Sequence, residues 1–71
     1  MIKVGQIYKS KAHGAISCIT AKGKNEFFII SPDGSSNRLD IIIGSAVEKI
    51  ADLIAEYPTW QEAVNSKEFK E

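Results

Sequence analysis

Apolar residues alternate with polar ones over much of the first two thirds of this chain. A period of two puts successive side chains on opposite faces of a β-strand. Residues 4–9, around Ile7 and Tyr8, read as a first strand, with Gly5 a candidate bulge. A polar loop over 10–14 leads to a second strand over 15–21. Ile16, Cys18 and Thr20 share one of its faces, Ser17 and Ile19 the other. Residues 22–25 are short and polar, suited to a hairpin connection. In the third strand, 26–31, Phe27, Phe28, Ile29 and Ile30 are apolar on both sides, the mark of a strand that is central or covered. Ser31, Pro32, Asp33 and Gly34 then form the clearest turn, because proline presets φ and the Asp and Gly tolerate the remaining turn positions. Residues 35–37 lengthen that loop. A fourth strand over 38–43 sets Leu39, Ile41 and Ile43 against Arg38, Asp40 and Ile42.

Residues 44–57 fit two patterns. Ser45 and Glu48 have capping-box spacing, and Ala46, Val47, Ile50, Leu53, Ile54 and Tyr57 follow as an amphipathic helix would place them. As a strand, the same segment turns Ala51, Leu53, Ala55 and Tyr57 inward and Asp52, Ile54 and Glu56 outward. Periodicity alone favours the helix. Pro58 pushes Tyr57 out of the α region. Thr59 and Glu62 then repeat the capping-box spacing and predict a helix over 59–65. Trp60, Ala63 and Val64 lie at i, i+3 and i+4 on that helix, so the only tryptophan is expected to dock and be mostly buried. Residues 66–71 are charged around Phe69, which leaves two outcomes: a frayed end, or one tacked down by that ring.

With 71 residues the chain has room for one domain and one small core. Such a chain buries only about 60% of its unfolded surface. The single cysteine forms no internal disulfide and no zinc ligand set surrounds it, which fits a reducing, cytoplasmic setting. The first residues lack a signal-peptide core, and the longest apolar run, 41–43, is far too short to span a bilayer. Membrane association is therefore not expected. Net charge is zero but unevenly spread: residues 1–24 hold Lys3, Lys9, Lys11, Lys22 and Lys24 and no acid, and the remainder carries nine acids against four basic residues. Converging lysines would make a basic face for nucleic acid. Lysines spaced over exposed strands, where they discourage edge pairing, explain the same residues more simply.

Catalytic chemistry finds little to work with. His13 has no second histidine or cysteine near it in sequence, so it is a poor metal site and reads as solvated. Cys18 lies mid-strand, where a small buried hydrophobe is expected and an electropositive thiolate site is not. Asp40, Asp52, Glu56 and Glu62 have no spacing that makes them converge. No glycine-rich phosphate loop joins a strand to a helix. No catalytic, cofactor or metal residue is expected, and an enzyme is not expected either. Aromatics on an open barrel face can bind proline-rich peptides or single strands. Tyr8 and Phe28 therefore join the five lysines as a candidate interaction surface, although a small core also claims aromatics, Phe27 or Phe28 among them.

Two stretches carry a resemblance. Residues 3–8, KVGQIY, and 53–69, LIAEYPTWQEAVNSKEF, resemble small phage and prophage proteins of the SPbeta type from Bacillus-type hosts. The closing stretch is the more specific, since the opening one is common among SH3-like barrels. The resemblance implies a compact SH3-like barrel of five strands with one short C-terminal helix, no assigned function, and no catalytic residues to carry over. It shifts residues 44–47 to a turn or a single 3₁₀ turn, and 48–56 to the fifth strand. The expectation is thus a mainly β, single-domain accessory protein that binds a host or phage protein. A nucleic-acid-binding barrel is the alternative, and a structural component with no activity of its own is a third reading.

Overall fold

Gly5 decides where the first strand can begin. In the computed structural model, which describes residues 2–40 and 47–70, Gly5 lies at φ +94°, in the left-handed region that glycine enters without steric cost. The Gln6 N–H donates to the Lys3 carbonyl at 3.2 Å, so the chain turns there and β1 runs Gln6–Ser10. The expected start at residue 4 is corrected accordingly. Gly5 marks a close approach of three segments: its N–H donates to the Ile19 carbonyl at 2.9 Å, and its carbonyl accepts the Tyr57 N–H at 3.0 Å.

The remaining strands are β2 (Ile16–Lys22), β3 (Glu26–Ile30), β4 (Ser36–Asp40) and β5 (Ala51–Glu56). All pairings are antiparallel, in the order β4-β3-β2-β1-β5. β4 starts earlier than its alternation indicates, because Ser36 and Asn37 pair with Ile30 and Ile29. The turn before it forms as expected, with the Gly34 N–H on the Ser31 carbonyl at 2.9 Å and Gly34 at φ +93°. Asp33 accepts the Ser35 hydroxyl and N–H at 2.6 and 2.9 Å, and these bonds hold its carboxyl below the usual range. The expectations for residues 41–46 lie outside the described residues.

Helix and strand divide the ambiguous segment. Val47–Ile50 is one helical turn, α1, and the strand starts only at Ala51. Residues 48–50 are therefore corrected from strand to helix. The cause lies in β1, which ends at Ser10, the partner of Ala51. Beyond it the chain turns toward Gly14, whose N–H donates to the Ser10 carbonyl at 2.9 Å. Past Ser10 the Lys11 N–H still donates to the Ile50 carbonyl at 2.9 Å, but the registered strand pairing stops at Ala51.

The sheet is covered on both faces, so alternation along β1 and β2 feeds two cores. Tyr8 and Ile19 pack with Ile2, Phe27, Ala51 and the half-buried Ile29 on one face. Ile7 and Cys18, both fully buried, pack with Ala63 and Phe69 on the other. β5 crosses between these faces. Tyr8 stands opposite Leu53 and Ile7 opposite Ala55, so Ile54 is the extra residue of a bulge. Ala51 and Leu53 share the Tyr8 face, whereas Ala55 and Tyr57 pack on the Ile7 cluster. Leu53 is 49% exposed, which corrects its expected place in the core; Ile54 is 38% exposed, outward as the strand reading requires.

At the C-terminal end, α2 (Trp60–Val64) and α3 (Lys67–Lys70) cover the Ile7 face. Thr59 caps α2: its backbone is extended and its hydroxyl oxygen accepts the Glu62 N–H at 3.3 Å. The Glu62 carboxylate takes the Thr59 hydroxyl at 3.2 Å. Trp60 is 36% exposed and is not the buried anchor expected of it. Ala63 and Phe69 fill that role, so the final segment is docked by its phenylalanine. The Tyr57 hydroxyl also donates to Glu68 at 2.9 Å. The fold is mainly β and barrel-like, five antiparallel strands with short C-terminal helices. Among the described residues no pairing of β4 with β5 closes the sheet.

Candidate interaction surface

Strand direction separates the five N-terminal lysines. Lys9, near the end of β1, stands across from Ile16 and Asp52, and its side chain shares the Ile7 face. Lys11 follows, with Nζ 3.9 Å from the Asp52 carboxylate; both side chains are at least half exposed, so this pair contributes little. Lys22 closes β2 at the other end of the sheet, six residues beyond Ile16, or about 20 Å at the usual strand rise. Its Nζ lies 5.8 Å from the centroid of Phe27, on the Tyr8 side. Lys24 occupies the following turn and Lys3 precedes Gly5, both exposed. Lys9 and Lys11 lie at one end of the β1–β2 pair, together with Asp52, and Lys3, Lys22 and Lys24 lie toward the other.

The two aromatic candidates part company. Tyr8 is 3% exposed and belongs to the core; its hydroxyl donates to Gln6 Oε1 at 2.9 Å. It is corrected from surface to interior because the Tyr8 face of β1 is covered by Ile2, Ile19 and Phe27. Gln6 is buried with it, accepting the Lys3 N–H at 2.8 Å and donating to Glu56 at 3.0 Å. Phe28 is half-buried, opposite Ala21 and Arg38, and lines a shallow depression with Thr20, Asn37 and Arg38.

A different surface is apolar. β5 is the edge strand beyond β1, and among the described residues no strand pairs with its outer side. Ile50 is 57% exposed where α1 hands over to β5, and Leu53 and Ile54 follow it into solvent. A groove lined by Tyr8, Ser17, Ile19, Ile29, Ile50 and Ala51 opens beside them. An edge strand with open backbone groups and exposed apolar side chains is a template for another strand. Sequence reading missed this surface because Leu53 was placed inside. The five-strand order held the signal, since a fifth strand beside the first has an open outer side.

The remaining reactive groups are dispersed. Burial pushes the Cys18 thiol up to about 11, so at neutral pH it is a thiol. His13 is exposed in the β1–β2 turn, its backbone N–H on the Ser10 hydroxyl at 3.2 Å. Among the described residues no three His, Cys, Asp or Glu side chains gather as a metal site would need, and no helix is long and apolar enough to cross a membrane. Comparison with family models, curated proteins and solved structures found no match for this chain.

Proposed function

We propose that this protein is a non-catalytic binding module that docks an extended polypeptide segment on its β5 edge. The observation that carries this reading is the exposure of Ile50, Leu53 and Ile54 along a strand paired on one side only. Strand addition supplies affinity through main-chain hydrogen bonds and specificity through alternate side chains. The resemblance of the opening and closing stretches to phage and prophage proteins favours a host or phage protein as the source of that segment. Acid–base or nucleophilic chemistry has no support in the described side chains, since Cys18 is buried, His13 is solvated and Asp52 faces lysines. Nucleic-acid binding gains less from the same surface, since the lysines divide between the two ends of the β1–β2 pair and Asp52 lies beside Lys11.

Affinity capture from host lysate tests the reading, run with and without nuclease on the wild-type chain and on Leu53→Lys. The expected result is a defined protein retained after nuclease treatment and lost with Leu53→Lys. Recovery that vanishes with nuclease, or that Leu53→Lys leaves intact, overturns docking at β5.

A further inference from the structure

We propose that the β4 edge pairs with the β4 of a second copy of this chain, antiparallel, about a two-fold axis at Leu39. This edge lies across the sheet from β5, so the inference goes beyond the strand-docking reading and does not depend on it. Among the described residues no strand pairs with the outer side of β4. Its five residues, Ser36–Asp40, pair with β3 without a register shift. Alternation therefore holds along the strand, and positions 38 and 40 share one face.

Charge names the occupant. In the single chain Asp40 stands opposite Glu26, and like charges directly across a ladder are destabilising. Arg38 stands opposite Phe28; it is exposed and has no ion pair among the described residues. An antiparallel copy can set its Arg38 across from this Asp40, and its Asp40 across from this Arg38. The register follows from the same two residues. A two-fold axis normal to a sheet makes one residue of each strand oppose its own copy. An axis at Arg38 opposes two arginines, and an axis at Asp40 opposes two aspartates. An axis at Leu39 opposes Arg38 to Asp40 twice, with no like charges facing. Parallel addition in register would set like beside like.

The contact is small. β4 has five residues, about 17 Å of strand, whereas a standard interface buries about 1,200–2,000 Å². The pairing is therefore weak and depends on concentration, and salt screens the exposed charges that direct it.

Sedimentation of the full chain up to about 1 mM, the weak end of specific affinities, reads the mass. The wild-type mass is expected to climb toward two chains at low salt and to fall back as salt rises. Asp40→Arg is expected to stay single, because it opposes positive charges in the pair. It is also expected to stay folded, because it removes the like charge opposite Glu26. Arg38→Asp is expected to stay single too, with unchanged far-UV circular dichroism since the site is exposed. Mixing the two variants restores opposite charges at both positions, so the equimolar mixture is expected to dimerise where neither component does. Leu53→Lys, on the far edge of the sheet, is expected to dimerise like the wild type. A single-chain mass at every concentration, a dimer that Asp40→Arg leaves intact, or a mixture of folded variants that stays single overturns the proposal. A dimer lost in Leu53→Lys overturns it as well and moves the contact to β5.

Discussion

At Gly5 one residue without a Cβ ties three segments together. Its N–H reaches Ile19 and its carbonyl receives Tyr57, and an added Cβ would collide with the Tyr57 carbonyl oxygen. Gly5→Ala meets both that collision and a positive φ, strain of about 1–3 kcal/mol for the backbone alone. Urea unfolding is expected to show at least that loss, and a variant as stable as the wild type would refute the close approach. Phe69 and Trp60 invite a comparison of the same kind. Phe69→Ala empties a buried site beside Ile7 and Cys18 and is expected to cost about 3–5 kcal/mol. Trp60→Ala, at a residue 36% exposed, is expected to cost clearly less, and the reverse order in denaturant midpoints would put the anchor back on the tryptophan. Periodicity identified the α2 face but misjudged its anchor. The closest approach falls at Ala63, where small size lets the helix reach the sheet, and the bulky ring at the helix start is left at the margin.

Strands and turns were legible because their signals are local. Alternation, the Pro-Asp-Gly turn and the Thr59 cap each need only a few neighbouring residues, and each formed close to its expected place. β5 was less legible because its start and its faces are decided elsewhere: the start by the end of β1 at Ser10, the faces by the bulge at Ile54. The edge itself, where Leu53 is exposed, follows from strand order and not from the β5 sequence. At the next junction, the Tyr57–Glu68 hydrogen bond ties the end of β5 to α3. Its own backbone N–H and then the Tyr57 hydroxyl hold the Glu68 carboxyl below its ordinary value, and Glu68 in turn raises Tyr57. A lowered carboxyl stabilises above its unfolded value and loses that contribution as pH falls through the folded one; a raised tyrosine stabilises below its unfolded value and loses it as pH rises through the folded one. Docking of α3 is expected to weaken at both extremes and hold between them, as read from amide exchange at Phe69. Tyr57→Phe should shrink the acid limb, leaving the part due to the Glu68 backbone, and remove the tyrosine's alkaline limb. An identical profile in the variant would show that this bond does not hold the helix.

Across the whole molecule, the division of charge was plain in the sequence, but its placement was not. Lys9 and Lys22 sit at opposite ends of the sheet because β1 and β2 run antiparallel, a fact of topology and not of spacing. The same two strands bind the molecule into one cooperative unit. Ile7 and Cys18 face the helices while their chain neighbours Tyr8 and Ile19 face Phe27 and Ala51. Neither core can loosen without disturbing a backbone that the other also uses. Unfolding is therefore expected to be a single transition, with far-UV circular dichroism and Trp60 fluorescence coincident, as for a small two-state domain. Phe27→Leu gives the sharper test, because Phe27 belongs to the Tyr8 cluster and α2 packs on the Ile7 cluster. A core change of this kind costs about 0.5–3 kcal/mol and should lower the midpoint read by Trp60 as much as that read by the sheet. If the Trp60 transition stays in place while the sheet signal moves, the two faces unfold separately and β1 and β2 do not couple them.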